Sequence, residues 1–156
     1  MDKTLKYRHE YTISAPVSAV ADFHSRPTSM AAITPPPILV QVHRAPARLG
    51  EGDEMEFTLW LGPLPLRWLA RIEQVTPVSF VDRLVRGPFA CWLHHHTFIP
   101  KKDGTTHVVD MVKVQFSHNL FWKLIGVAMW SGMPLLFAYR SWRTRRLLKD
   151  ARTTAR

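Results

Sequence analysis

Hydrophobic and polar positions alternate with a period of two over most of the chain, and the pattern turns helical only near its two ends. Lys6 to Ser14 sets Tyr7, His9, Tyr11 and Ile13 on one side, as a half-buried strand does. Pro16 then stands where a helix tolerates a missing N–H, and predicts a short helix to Phe23. A second short helix is expected over Thr28 to Ile33, stopped by Pro35-Pro36-Pro37, which cannot donate helical hydrogen bonds. Ile38 to His43 and Glu54 to Leu61 read as strands, the latter with Met55, Phe57 and Leu59 facing one way. After a turn at Gly62-Pro63, Leu66, Trp68, Ala70 and Ile72 alternate against Arg67, Arg71 and Glu73. Gly87-Pro88 and Lys101-Lys102-Asp103-Gly104 then separate three further alternating runs. Finally Leu135, Ala138, Tyr139 and Trp142 recur at i, i+3, i+4 and i+7, a stripe for one face of a long helix, while Phe121 to Met133 reads as a loop and helix entry. The order is one strand, two short helices, six strands and a long helix. This is an α+β chain whose curved antiparallel sheet of about seven strands needs the last helix to cover its concave face, with a cavity between them.

The chemistry lies in the three runs before that helix. Phe80, Asp82 and Leu84 share one face of the first; Trp92, His94, His96 and Phe98 share one of the second; Asp110, Val112, Val114 and Phe116 share one of the third. Each set is apolar apart from a carboxylate or an imidazole. A lone polar group on a buried face is costly unless satisfied, so Asp82, His94, His96 and Asp110 are expected within reach of one another across adjacent strands. Such a cluster could be a self-satisfied network that fixes register, a polar patch that orients a ligand, or a general base tuned by burial and a neighbouring charge. His94 and His96 at i, i+2 with Asp82 or Asp110 are also an acceptable nitrogen–oxygen ligand set, but no metal is expected and no motif asks for a cofactor. No nucleophile is evident: Cys91 alternates onto the face opposite His94, as does His95.

The run F-x-D-x-x-x-x-G-P-F-x-x-W-x-H-x-H-x-F followed by G-T-x-x-x-D, Phe80 to Asp110, resembles bacterial ligand-binding proteins of the SRPBCC superfamily, the START-like, Bet v 1-like helix-grip proteins, in their polyketide cyclase/dehydrase-like subgroup. Ile13-Ser14-Ala15-Pro16, the Thr34-Pro35-Pro36 break and Phe137-Ala138-Tyr139-Arg140 fit the same pattern, so the resemblance covers nearly the whole chain. It implies the helix-grip fold, an internal cavity and a small-molecule ligand, and leaves that ligand unnamed.

Composition narrows the rest. At 156 residues and 46% hydrophobic, residues 1–148 suffice for one START-like ligand-binding domain, with 149–156 a basic tail. One cysteine excludes an internal disulfide, and the N-terminus lacks the apolar core of a secretory signal, so a cytoplasmic location is expected. The net charge of +9 is concentrated at the end: Arg140, Arg143, Arg145, Arg146, Lys149, Arg152 and Arg156 face a single acid, Asp150. A solvated helix face accounts for such a run, as does weak contact with an anionic membrane; no basic groove with interleaved aromatics points to nucleic acid. Leu124 to Tyr139 holds 16 residues without a charge, too short to span a bilayer and interrupted by Gly126, Gly132 and Pro134. It either closes one end of the cavity or touches a membrane. The leading expectation is a binding or carrier protein for an apolar, lipid-like or aromatic molecule, held by Trp68, Asp82, Trp92, His94, His96, Phe98, Asp110, Tyr139 and Trp142. A cyclase/dehydrase-like enzyme using the His/Asp cluster and a membrane-docking lipid-transfer module are the alternatives.

Overall fold

A computed structural model describes residues 3–154, with side chains to Lys149. The elements are β1 (Leu5–Ile13), α1 (Val17–Ser25), α2 (Pro27–Ala32), β2 (Leu39–Arg44), β3 (Glu54–Leu61), β4 (Leu64–Thr76), β5 (Ser79–Arg86), β6 (Phe89–Pro100), β7 (Thr106–Phe116), α3 (Leu120–Ser131) and α4 (Met133–Thr154). The seven strands form one antiparallel sheet in the order β1-β7-β6-β5-β4-β3-β2. β2 to β7 is therefore a meander, and β1 closes against β7 from the other end of the chain. The curved sheet gripping α4 is the expected helix-grip arrangement.

Registry places the cluster. Asp82 pairs with His94 and Phe80 with His96 across β5 and β6, while His96 pairs with Asp110 and Trp92 with Val114 across β6 and β7. Around them the core divides into two groups. One joins Met55, Phe57, Trp68, Phe89, Trp92, Val112 and Val114 to Met133 and Phe137 of α4. The other joins Tyr11, Ile13, Val20, Phe98 and Val108 beneath α1.

Two expectations are corrected at the C-terminal end. Phe121 to Ser131 is not a loop but belongs to α3, whose N-cap Asn119 accepts a hydrogen bond from the Trp122 backbone N–H, and Met133 already opens α4. The axis bends by 50° between α3 and α4; Gly132 lies at the break, and Pro134 cannot supply an N–H to the preceding turn. α3 approaches the sheet at Gly126, where an added Cβ would meet Phe116 at 3.0 Å and Phe89 at 3.2 Å. Second, the face of α4 that meets the sheet carries Met133, Phe137, Ser141 and Thr144, all buried, whereas Leu135, Ala138 and Trp142 are exposed. The rings of Tyr7 and His9 on β1 already fill the space beside Phe137, at centroid distances of 5.4 and 5.8 Å. The backbone of α4 continues to Thr154, into the basic segment 149–156, of which Ala155 and Arg156 lie outside the described residues.

Candidate functional site

Between the sheet, α2 and the α3–α4 bend lies a cavity of about 140 Å³. Its wall is largely apolar: Met30 from α2 and Ile33 at its C-cap, Met55, Phe57, Trp68 and Ala70 from the sheet, Met129 and Leu136 from the bend. Trp68 and Trp92 meet edge to face at 5.3 Å in this wall. One edge is polar, made by Asp82, His94 and His96, with His24 of α1 and Arg140 of α4.

The four cluster residues close into a ring. His94 Nε2 lies 2.9 Å from Asp110 Oδ1 and His94 Nδ1 3.5 Å from Asp82 Oδ2. His96 Nε2 lies 3.2 Å from Asp82 Oδ2 and His96 Nδ1 3.1 Å from Asp110 Oδ1. The two imidazoles sit 3.8 Å apart, and Phe80 stacks on the outer face of His96 at 4.4 Å. Asp110 is buried behind the histidines, away from the cavity itself, whereas Asp82 is at its edge.

Burial and pairing oppose each other here, and pairing prevails. Burial would lower the His96 pKa, but the hydrogen bonds and charges of Asp110 and Asp82 push it up to about 9. Burial would raise both carboxyls, yet the two histidines hold Asp82 and Asp110 well below the ordinary carboxylate range. At neutral pH the cluster thus contains two carboxylates and at least one imidazolium. Arg140 brings another cation. Its guanidinium sits 5.6 Å over the Phe137 ring, burial depresses its pKa against the pull of Asp110 and Asp82, and its Nε is buried without a hydrogen-bond partner.

His24 behaves differently. Its Nδ1 donates to the Val20 carbonyl at 2.8 Å, which leaves Nε2 as an acceptor. Burial first, then the charge of His96, pushes its pKa down to about 4, so it is neutral at physiological pH. The polar edge therefore offers a ligand acceptors on His24 and Asp82 and a cationic donor on Arg140. Asp82, His94 and His96 could also hold a metal, with one ligand atom from each within 4.8 Å of the others. In the arrangement described, however, His94 Nε2 and His96 Nε2 are engaged in hydrogen bonds with Asp110 and Asp82, while His96 Nδ1 is buried without a hydrogen bond, 3.1 Å from Asp110 Oδ1.

Of the residues singled out from sequence, Asp82, Trp68, Trp92, His94 and His96 line the cavity, and Asp110 backs it. Phe98 is buried in the neighbouring group, 5.0 Å from His24. Tyr139 and Trp142 pair with each other at 5.5 Å and do not line the cavity, because that face of α4 points away from the sheet. His24 and Arg140 escaped sequence reasoning. Arg140 follows Phe137 by three residues, and that spacing would have placed it on the inner face once the stripe was assigned correctly.

No protein-family model matches the chain, and no curated protein matches it in sequence. Solved structures do. A norcoclaurine synthase point mutant from Thalictrum flavum, in complex with a transition-state analogue, superposes with a TM-score of 0.70 at 12% identity, over 97% of this chain and 98% of that one. The ZhuI aromatase/cyclase from Streptomyces sp. R1128 gives 0.65 at 15% identity, over 93% and 96%. A nucleoside-diphosphate sugar epimerase from Corynebacterium glutamicum gives 0.66 at 27% identity, over 96% of this chain but only 30% of the epimerase.

Proposed function

Given a chain with the helix-grip fold of the SRPBCC superfamily, we propose that it binds a small, mostly apolar molecule in the cavity and orients it by the edge formed from His24, Asp82, His96 and Arg140. The observation that carries this reading is the partly open, largely apolar space with its polar groups gathered on one side, the usual construction of a small-molecule site. The volume of about 140 Å³ suits a single aromatic ring better than a lipid chain. Trp68 and Trp92 provide the readout. An aromatic compound that enters should change tryptophan emission and raise the melting temperature, by about 2.7 kcal/mol of added stability at a hundredfold excess over Kd. Ala70 is buried in the same wall, so Ala70→Leu should fill the space and abolish both signals. Undiminished binding by that variant, or no response to a panel of neutral and acidic aromatics, would refute the reading.

A second reading has one observation in its favour. An imidazolium at His96, held charged beside Asp82 at the cavity edge, is a proton donor of the kind a cyclase- or dehydrase-like enzyme uses. The neighbours named above include a synthase and an aromatase/cyclase. The two readings part at His96→Gln: a carrier keeps its ligand affinity within a few-fold, while an enzyme binds its substrate and no longer converts it.

A further inference from the structure

The face of α4 that sequence reasoning assigned to the sheet points outward, and it does not stand alone. On α3, Leu120 is 70% exposed, Phe121 52%, Leu124 61% and Val127 41%; on α4, Leu135 is 77% exposed and Trp142 49%. On α3 these positions follow helical spacing along one face, opposite Trp122, Ile125, Gly126 and Met129, which turn toward the protein. Folding normally hides a stripe of this kind, and a contiguous exposed one marks a contact surface.

The charge around it identifies the partner. Lys123 is exposed on α3. The outward line of α4 runs from Leu135 through Trp142 to Arg146, whose guanidinium lies 5.8 Å over the Trp142 ring, and on to the exposed Lys149. The whole chain carries +9. An apolar helix face bordered by lysine and arginine, with a tryptophan at the boundary, is the composition of a helix that lies in a bilayer interface, its cations among anionic headgroups. A second copy of this chain fits less well, since two-fold pairing through this face would bring the same cations together. Among the described residues no single helix is long and apolar enough to cross a membrane, although the bent pair α3–α4 together has the length and composition to do so. Because Gly126, Met133 and Phe137 of that pair are buried against the sheet, the contact proposed here is one that lies in the surface.

We propose that the α3–α4 bend docks on an anionic lipid surface, with Leu120, Phe121, Leu124 and Leu135 inserted and Lys123, Arg146 and Lys149 at headgroup level. The inner side of the same bend, through Met129, Leu136 and Arg140, is a wall of the cavity. Docking would therefore set that wall against the phase into which apolar molecules partition. The inference rests on the outer surface alone and stands whether or not the cavity binds a ligand.

Vesicle co-sedimentation tests it, with phosphatidylcholine alone and with phosphatidylcholine containing about 30% phosphatidylserine. The full chain should bind the anionic vesicles with a blue shift in tryptophan emission, bind neutral ones at least about tenfold more weakly, and release as salt is added. The double variant Leu120→Ser, Leu124→Ser should lose more than about tenfold in affinity. Its melting temperature should stay unchanged, because both side chains are already in solvent. Absence of vesicle binding overturns the proposal. So does equal affinity for neutral and anionic vesicles, or a concentration-dependent dimer that the same double variant abolishes without any lipid effect.

Discussion

Replacing Asp110 by Asn keeps the shape of the side chain and removes its charge from the ring of histidines and carboxylates. His96 rises from an ordinary 6.5 to about 9 against the cost of burial, which corresponds to about 3 kcal/mol of preference for the charged form in the folded protein. Asp110 and Asp82 share that stabilisation. Losing Asp110 should therefore cost about 2 kcal/mol at neutral pH, a fall of roughly 4–8 °C in melting temperature for a chain of this size.

The pH dependence is the sharper test. A group whose folded pKa lies above its unfolded one contributes stability that is complete below 6.5 and lost as pH rises through about 9. Asp110, held below 3.8, contributes stability present above that value and lost as pH falls through its depressed folded pKa. The gap between parent and variant should thus be widest between 3.8 and 6.5, shrink through neutrality, close above about pH 9, and narrow again in strong acid. Thermal melts followed by circular dichroism across that range decide it. A gap of constant size, or none, would show that the cluster is not the charged network described.

Three further outcomes follow from the same geometry. Phe137→Ala should cost about 3–5 kcal/mol because Phe137 is buried on the inner face of α4, whereas Leu135→Ala should change stability by under about 0.5 kcal/mol; the reverse order in chemical denaturation would restore the stripe read from sequence. Arg140→Met removes the cation from the cavity edge, so acidic aromatics should lose their thermal-shift advantage over neutral ones of the same size. Asp82→Asn should leave parent-like stability in strong acid but lower it near neutrality, because the depressed Asp82 carboxyl contributes only above 3.8; denaturant midpoints at the two pH values measure this.

The sheet was legible because period-two alternation is a property of each strand by itself. Asp82, His94, His96 and Asp110 could be found because each interrupts an apolar face, and three adjacent antiparallel strands bring such interruptions together. The helices were harder. On α4 the outward residues Leu135, Ala138 and Trp142 are more apolar than the inward Ser141 and Thr144, so a rule that sends the most hydrophobic face inward selects the wrong one. On α3 the glycine that lets the helix approach Phe116 and Phe89 looks in sequence like a break. Trp122, Ile125, Gly126, Met129 and Trp130 carry the true period. Local composition records preference for an apolar environment and does not say whether that environment is the protein or something outside it.

The same distinction bears on the polar ring. A buried ionic network is weak evidence for stability, since well-packed apolar residues often serve as well or better. Fixing strand register does not require it either. β6 and β7 pair from Cys91 to Pro100 without interruption, and the inward side chains at Trp92 and Phe98 would already flip to solvent on a one-residue slip. Two carboxylates and two histidines are thus in excess of what holding the sheet demands. Asp82, His94 and His96 lie along one edge of an apolar cavity, with Asp110 behind them and Arg140 arriving from α4, and under the binding function proposed above that excess has a use: charge already desolvated and positioned can meet a polar group on an otherwise apolar molecule without reorganising.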